Sequence, residues 1–314
     1  MTTRHAERPL RVIQWGTGHA GRPALRAIIR RPDLELVGVH AHAAEKIGRD
    51  AADLCGLDQP TGVVATDDVD ALLALDADCV SYMVQGETRI RETVEELCRA
   101  LASGKNVVNT ALVFLVYPPF IDPGMRTVLK DACREGGSTL LTSGFDPGWS
   151  GDILPLALAC VCERVESISV LEAMDYSTYP DPDFTGAFFG FGRPLDYAAP
   201  LFAPGAVTGG WGGMLQMVAD ALGWELEGME EHTDRLPAPR RSRPPWAPSS
   251  RARARGALRA PRHGRRASGG HRRAREPPAR RHRARLARAL RQSLRVPHRD
   301  RRVALVHLRD RAAR

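Results

Sequence analysis

Lysine is scarce in this sequence, and long apolar runs are absent from it. The three lysines are Lys46, Lys105 and Lys130, so no lysine after residue 130 can donate a proton in a substrate domain. No segment approaches the roughly 20 consecutive apolar residues that a membrane-spanning helix requires. The first ten residues are polar and charged, and the apolar run after them is too short for a secretory signal peptide. We therefore expect a cytoplasmic protein without a membrane partner.

Sequence motifs that mark several enzyme classes are also missing. The sequence has no G-x-S-x-G nucleophile elbow, no Walker lysine loop and no H-E-x-x-H. Its six cysteines lack zinc-ligand spacing, because Cys160-x-Cys162 stands alone, and we predict reduced, buried thiols and no metal site. Hydride transfer needs no protein nucleophile, because a nicotinamide cofactor supplies the reactive group. The sequence leaves the catalytic residue unknown.

Charge is distributed unevenly along the 314 residues. Residues 236–314 contain 26 Arg, no Lys and three acidic residues, a net charge of +23, whereas the first 235 residues carry −15. Two interpretations fit this Arg/Ala/Pro-rich tail. It is either a disordered basic arm that binds nucleic acid or a GC-rich gene translated in a shifted reading frame. The absence of lysine favours the frameshift, because natural basic arms usually mix lysine with arginine.

Strand and helix patterns alternate through the first half of the chain. Strands are predicted at residues 11–15, 34–40, 63–65, 79–83, 106–110 and 139–143, and helices at 21–30, 44–54, 68–73, 89–103 and 123–135. The strands are rich in Val, Ile and Leu without strict alternation, which indicates burial on both faces. We therefore predict an α/β fold, a Rossmann-type doubly wound parallel sheet.

Beyond residue 145 the pattern changes. A helix is predicted at 152–161, a strand at 165–173 and a glycine-led helix at 209–222. We predict three parts: a Rossmann dinucleotide-binding domain at 1–145, a second domain at 146–235, and the tail at 236–314.

A glycine-rich loop follows the first predicted strand and precedes the first predicted helix. It has the G-x-G-x-x-G spacing, and the strand–turn–helix context makes this pattern a credible dinucleotide site. Gly16 permits the tight turn, Gly18 allows close approach of a pyrophosphate, and Gly21 allows close helix packing. The helix N-terminus then faces the phosphates. The loop residues predicted to bind the cofactor are Gly16, Thr17, Gly18, His19, Ala20 and Gly21.

The acidic residue that normally binds the ribose of NAD is missing at the end of the second predicted strand. That strand ends at His40, and no acid occurs before Glu45. Histidines and Lys46 take its place, and cations attract the 2′-phosphate of NADP. We therefore predict that His40 and Lys46 bind the cofactor and that NADP is preferred, with NAD as an alternative. Ordinary solvent exposure of these side chains is an equal possibility.

Further cofactor contacts are expected where the fourth and fifth predicted strands end. Ligands of such sheets lie outside the carboxyl ends of the strands. Met83 and Gln85 follow the fourth strand, and Asn109 ends the fifth. We predict that these three residues border the cofactor, with Asn109 at the nicotinamide end. Gln85 could equally be a plain loop residue.

The segment at residues 144–152 is a candidate substrate site. Pro147 and Gly148 indicate a turn, and the helix after it offers free N–H groups to a carboxylate. Asp146 and Asp152 could instead hold an amine. The predicted substrate residues are Asp146, Pro147, Gly148 and Asp152. The alternative is a hinge between domains with a helix cap.

These motifs resemble the dihydrodipicolinate reductase-like proteins of actinobacteria, a group related to 2,4-diaminopentanoate dehydrogenase. The resemblance rests on V-I-Q-W-G-T-G at 12–18, G-R-D-A at 48–51 and G-F-D-P-G-W-x-x-D-x-L-P at 144–155, and it covers residues 10–234. It implies an NAD(P)-dependent oxidoreductase in which residues 146–235 form an α+β domain for substrate and dimer contacts. The resemblance also implies that this domain is partial, because members of the group continue with more strands where the Arg-rich tail begins here. The catalytic H-H-x-x-K motif of true dihydrodipicolinate reductases has no counterpart here.

The resemblance implies hydride transfer at a C–N or imine bond of an amino acid or a diamine. It also implies a homo-oligomer if the second domain folds. Two alternatives stay open at this point. One is a catalytically impaired dinucleotide-binding remnant, and the other is a basic-tailed protein that binds nucleic acid through residues 236–314.

Overall fold

The computed structural model describes residues 8–172, 181 and 183–233, together with the backbone at 303–304 and 307–308. A parallel sheet contains the strands β1 (Leu10–Trp15), β2 (Leu34–His40), β3 (Ala65–Thr66), β4 (Cys79–Tyr82), β5 (Asn106–Asn109) and β6 (Leu140–Thr142). Their order is β3-β2-β1-β4-β5-β6, the order of a doubly wound dinucleotide-binding fold. The predicted Rossmann-type sheet is confirmed.

Helices connect consecutive strands of this sheet. They are α1 (Gly21–Arg30), α2 (Ala51–Cys55), α3 (Val69–Ala74), α4 (Ile90–Ala102) and α5 (Pro123–Gly136). The ends of α5 show how the sequence sets their limits. The Asp122 side chain accepts a hydrogen bond from the Met125 N–H at the start, and Gly137 ends the helix in the left-handed conformation at φ 62°.

Further elements follow the sheet along the chain. They are α6 (Ile153–Ala159), a π-helical turn (Asp183–Phe188), α7 (Ala206–Leu222), and the antiparallel pair β7 (Val303–Ala304) and β8 (His307–Leu308). Short 3-10 turns occur at Val113–Val116, Pro118–Phe120 and Pro200–Phe202. α7 packs against the first two of these turns, where a side chain on Gly212 would collide with the Phe120 ring.

Apolar side chains cover the sheet on both faces. On one face Ile13 and Val80 pack with Leu97 of α4 in a buried cluster. On the other face Leu25 of α1 and Val39 of β2 belong to a second buried cluster. Because the faces are covered, the edge where the parallel strands end is the place open to a ligand.

Three elements differ from the sequence prediction. The helix predicted at 44–54 is reduced to α2, because Gly48 takes φ 79° and Asp50 then caps a new helix by accepting from the Ala52 N–H. Residues 165–172 of the predicted strand 165–173 form no strand, since they pair with no other strand in the described part of the chain. The glycine-led helix begins three residues before its predicted start, at Ala206.

The cysteines also differ in part from the prediction. All six are free thiols, and Cys55 is buried. Cys160 and Cys162 are exposed at the end of α6, where the apolar pattern had predicted burial.

Contacts between residues divide the chain into two units. One contains residues 1–172, 200–234 and 302–314, and the other contains residues 173–199 and 235–301. The predicted boundaries at 145 and 235 remain predictions. Most of the tail lies outside the described residues. Both interpretations of the tail concern those residues and therefore remain predictions. Within the described ranges, no helix is both long and apolar enough to span a membrane.

Candidate dinucleotide and substrate sites

The glycine loop between β1 and α1 has the close contacts that the sequence predicts. Gly16 takes φ 89°, and a Cβ there would lie 2.6 Å from the Met83 carbonyl oxygen. A Cβ on Gly21 would lie 2.1 Å from the Gly16 carbonyl oxygen. Neither position tolerates a side chain, because such distances are shorter than any van der Waals contact. Both glycines are therefore needed to bring β1, α1 and the end of β4 together.

Gly18 differs from the other two glycines of the loop. A Cβ at this position would meet no atom within 4 Å, and Gly18, His19 and Ala20 are exposed. The glycine is thus not required by packing within the described part of the chain. Open space beside this backbone fits a pyrophosphate, which approaches a dinucleotide-binding loop at this position.

The N-terminus of α1 is arranged to receive an anion. Ala20 at its N-cap offers no capping side chain, and the first turn carries no acidic residue. The positive end of the helix dipole lies here, at the Gly21 N–H, since the Arg22 N–H donates to the Gly18 carbonyl at 3.0 Å and Pro23 has no N–H. The fully buried side-chain amide of Gln14 holds the loop in place, because it donates to the Gly16 carbonyl at 2.8 Å.

The end of β2 contributes a neutral aromatic ring. The His40 imidazole stacks on the buried Trp15 indole, with ring centroids 4.4 Å apart. Burial lowers the pKa of His40 below its ordinary value, against the opposing charge of Glu96. The imidazole is therefore uncharged at neutral pH and does not supply the predicted positive charge.

Lys46 is the cation that lies beside the glycine loop. Its ammonium group donates to the Thr17 carbonyl at 3.2 Å. The turns at residues 43–48, which replace the start of the predicted helix, bring Lys46 back toward the loop. The predicted contact of Lys46 with the cofactor ribose remains a prediction.

One acidic residue near this edge was missed by sequence reasoning. Asp67 follows β3, which pairs with β2, and its carboxylate acts on the pKa of His40. The sequence pattern for this acid is confined to the end of β2, whereas Asp67 lies 27 positions after His40. The strand order of the sheet, rather than spacing in the sequence, brings the two together.

Met83, which follows β4, contacts the glycine loop, and its predicted contact with the cofactor remains a prediction. The Met83 N–H donates to the Trp15 carbonyl at 2.8 Å, and the Met83 carbonyl contacts Gly16. Gln85 is exposed, so no packing holds its side chain. Met83 is thus part of the glycine loop's surroundings, and Gln85 lies in the loop that follows.

Asn109 is held by contacts within the protein. It is completely buried, its amide donates to the Thr142 hydroxyl at 3.0 Å, and its carbonyl accepts from the Ala111 N–H at 2.6 Å. These bonds join the ends of β5 and β6 and shape the turn after β5. The predicted contact of Asn109 with nicotinamide remains a prediction.

The turn at residues 144–152 follows β6 and therefore lies at the same edge of the sheet. Pro147 follows a cis peptide bond, and Gly148 takes φ 123°. Asp152 is fully buried, and its two carboxylate oxygens accept from the Gly148 N–H at 2.7 Å and the Ile153 N–H at 2.6 Å. Asp152 thus fixes the turn and caps α6.

Asp146 is the carboxylate of this turn with polar partners from other elements. It accepts from the Trp211 indole N–H at 2.9 Å and from the Ser150 hydroxyl at 3.2 Å. The Asp146 charge also acts on the carboxyl group of Glu172. Burial, and then the Asp146 charge, raise the pKa of Glu172 to about 7. Sequence reasoning identified neither Glu172 nor Trp211, because nothing in the local pattern links either residue to Asp146.

The described residues offer no group of three His, Cys, Asp or Glu side chains that could hold a metal ion.

Comparison with known proteins finds dehydrogenases among those whose sequences are similar to this chain. The chain is 41% identical over 223 residues to an amine dehydrogenase of Streptomyces virginiae, a match that covers 71% of this chain and 62% of the relative. It is 24% identical over 223 residues to the 2,4-diaminopentanoate dehydrogenase of Acetoanaerobium sticklandii, covering 69% and 61% of the two chains. The predicted resemblance to this group is confirmed as sequence similarity. A search against models of protein families found no match.

A solved structure supports the fold. The amine dehydrogenase from Mycobacterium smegmatis superposes with a TM-score of 0.53 at 19% identity, covering 73% of this chain and 66% of that one. The chain spans about three fifths of the length of the two curated relatives. Their activities are therefore considered only as a proposal for this chain.

Proposed function

We propose that this chain is an NAD(P)-dependent oxidoreductase that acts on the amine nitrogen of a small molecule. The observation that carries the proposal is the glycine loop, in which Gly16 and Gly21 are required by packing and Gly18 faces open space. A loop built only for packing would have no reason to leave the middle position empty. Similarity to an amine dehydrogenase supports the substrate class.

The residues present fit a dinucleotide. The N–H groups of the Gly16–Gly21 loop and of the start of α1 would hold the pyrophosphate, with Thr17, His19 and Ala20 in the same loop. Lys46 and His40 would lie toward the adenosine ribose, and Met83, Gln85 and Asn109 toward the nicotinamide. When bound, the nicotinamide ring accepts or donates a hydride, which is the chemistry that the protein itself lacks.

The turn after β6 is proposed to face the substrate. Asp146 would attract an ammonium group, because its carboxylate is partly buried and its hydrogen-bond donors within the turn and α7 are the neutral groups of Ser150 and Trp211. Pro147, Gly148 and Asp152 would hold the turn in place. The substrate class is then an amino acid or a diamine, and the reaction is oxidative deamination or the reverse reduction of an imine.

Thermal-shift titration of the full chain tests the cofactor, since a ligand that binds the native state raises its stability. NADP(H) and NAD(H) are compared, and an absence of any shift with all four would end the proposal. Substrates are then tested by following nicotinamide absorbance with a panel of amines and imines. Turnover of an imine with NADPH would exclude the impaired-remnant alternative. The nucleic-acid alternative depends on residues outside the described part and stays a prediction.

Lys46 is expected to set the preference between the two cofactors. Lys46→Gln should raise the Kd for NADP(H) about tenfold and leave that for NAD(H) within about twofold, because only NADP carries a 2′-phosphate. The two Kd values are measured by calorimetry. Lys130→Gln, which removes an exposed charge on α5, is the matched control and should change neither.

An equal loss of affinity for both cofactors would contradict this role. It would mean that Lys46 acts on the loop through the Thr17 carbonyl rather than on the ribose. Asp67→Asn completes the comparison. If the Asp67 carboxylate binds the ribose hydroxyls, this variant should lower the affinity for NAD(H) selectively.

A further inference from the structure

A row of three ring side chains crosses the carboxyl edge of the sheet. Strand pairing places Trp15 of β1 between His40 of β2 and Tyr82 of β4. The His40 ring stacks on the Trp15 indole with 4.4 Å between centroids, and the Tyr82 ring lies 6.0 Å from the same indole. Trp15 and Tyr82 are buried. The row therefore joins the ends of three strands at the edge where the dinucleotide is proposed to bind.

The Tyr82 hydroxyl connects this row to α4. It donates to one carboxylate oxygen of Glu96 at 2.6 Å. Arg89, the residue before α4, forms an ion pair with the other oxygen. Burial, and then the hydrogen bond to Glu96, raise the pKa of Tyr82, so the hydroxyl keeps its proton at neutral pH and remains a donor. One carboxylate thus joins the end of β4 to the start of α4.

The loop at residues 83–88 lies between the two partners of Glu96. Its first N–H, at Met83, donates to the Trp15 carbonyl at 2.8 Å. At its far end Arg89 occupies the N-cap of α4, and its side chain bonds to Glu96 rather than capping the helix. The Glu96 carboxylate therefore ties the residues on both sides of the loop to α4.

A second ion pair on α4 provides a comparison. Arg91 and Glu95 lie 3.0 Å apart at positions i and i+4, and both are largely exposed. The Arg89 and Glu96 side chains are only 38% and 23% exposed, and their pair includes a hydroxyl from the sheet. Ion pairs open to water contribute about 0–1 kcal/mol to stability. What distinguishes Glu96 is thus the set of elements that it joins rather than the strength of the pair.

We propose that Glu96 is a positioning residue of the dinucleotide site. It holds the Tyr82 hydroxyl and the Arg89 guanidinium together, and so fixes the loop at 83–88 in the shape that a bound cofactor requires. Glu96 acts through these two neighbours and not by contact with the cofactor. The inference rests on the proposed function, which places this loop toward the nicotinamide.

Loss of this tie should weaken the binding of both cofactors equally, because the nicotinamide half is common to NADP and NAD. Glu96→Gln keeps an oxygen for the Tyr82 hydroxyl but removes the charge that holds Arg89. We expect it to raise the Kd for NADP(H) and for NAD(H) about tenfold. Arg89→Gln should do the same, and the double variant should lose no more than either single one, because the two residues act as a unit. Arg89→Lys keeps the positive charge and should stay within about threefold of the wild type.

Calorimetry on the full chain measures these Kd values, and Glu95→Gln is the matched control. It removes the carboxylate of the neighbouring ion pair on α4 and should leave both Kd values within about twofold. Hydrogen exchange of the free protein gives a second readout. The amides of residues 83–88 should exchange about tenfold faster in Glu96→Gln, while those of β5 keep the wild-type rate. A purely structural role would speed exchange in β5 as well.

Several outcomes would overturn the inference while the wild type binds a dinucleotide. They are unchanged Kd values in Glu96→Gln, additive losses in the double variant, a loss confined to NADP(H), and faster exchange throughout the sheet. A wild type that binds neither dinucleotide would end the proposed function and this role with it. If Glu96→Gln does not fold, the contrast between Arg89→Gln and Arg89→Lys decides, because Arg89 is the more exposed member of the pair.

Discussion

Gly18→Val should abolish the binding of NADP(H) and NAD(H) while leaving the melting temperature of the free protein nearly unchanged. A Cβ at this position meets no protein atom within 4 Å beyond the neighbouring residues of the chain. It would instead fill the space that a pyrophosphate needs for its approach to the loop. We expect the Kd for both cofactors to rise at least about a hundredfold, equivalent to about 2.7 kcal/mol.

Gly21→Ala should give the opposite pattern. Its methyl group would lie 2.1 Å from the Gly16 carbonyl oxygen, so α1 must move away from the loop. Overpacking of this kind costs about 1–3 kcal/mol, and it should lower the melting temperature before any ligand is added. The contrast between Gly18 and Gly21 separates a residue kept for a ligand from a residue kept for packing.

Differential scanning fluorimetry of the free and liganded variants measures both effects. Gly209→Val on α7 is the matched control for Gly18→Val, because a side chain there also meets no atom within 4 Å. It should alter neither the cofactor-dependent shift nor, by more than a small amount, the free melting temperature. Unchanged cofactor binding in Gly18→Val would remove the main support for the dinucleotide site.

The parallel sheet could be predicted from the sequence because its signals are local. Each strand of the first half is an apolar run, and each following helix repeats apolar residues on one face, as Leu97 and Leu101 do in α4. The prediction was wrong where one residue changed the backbone locally. Gly48, with φ 79°, ends the regular pattern that residues 44–54 otherwise show.

The site was predictable to the extent that its residues are close in sequence. The Gly16–Gly21 loop could be recognised because its spacing is itself the signal. Asp67 and Glu172 could not be recognised in this way. The effect of Asp67 on His40 depends on the pairing of β3 with β2, and that of Asp146 on Glu172 depends on the path of the chain after α6. The expected charge of His40 was wrong for a related reason. Burial against Trp15 decides its protonation, and burial is a property of the fold.

Asp152→Ala should destabilise the protein strongly, and this result would define the role of a residue that the sequence assigned to the substrate. The fully buried carboxylate accepts from the Gly148 N–H at 2.7 Å and from the Ile153 N–H at 2.6 Å. Truncation leaves both N–H groups without their acceptor in a buried turn. Hydrogen bonds to a charged group contribute about 1.5–3 kcal/mol each, so we expect a loss of about 3 kcal/mol.

Urea denaturation of three variants tests this assignment. Asp152→Asn keeps one accepting oxygen and should lose about half as much stability as Asp152→Ala. Asp131→Ala, an exposed residue on α5, should change the free energy of unfolding by less than about 0.5 kcal/mol. If Asp152→Asn raised the KM for an amine substrate without lowering stability, the carboxylate would have to reach the substrate directly. Because the Asp152 carboxylate is buried and accepts two hydrogen bonds, we expect instead that stability falls first. Any change in KM would then follow from a displaced Asp146.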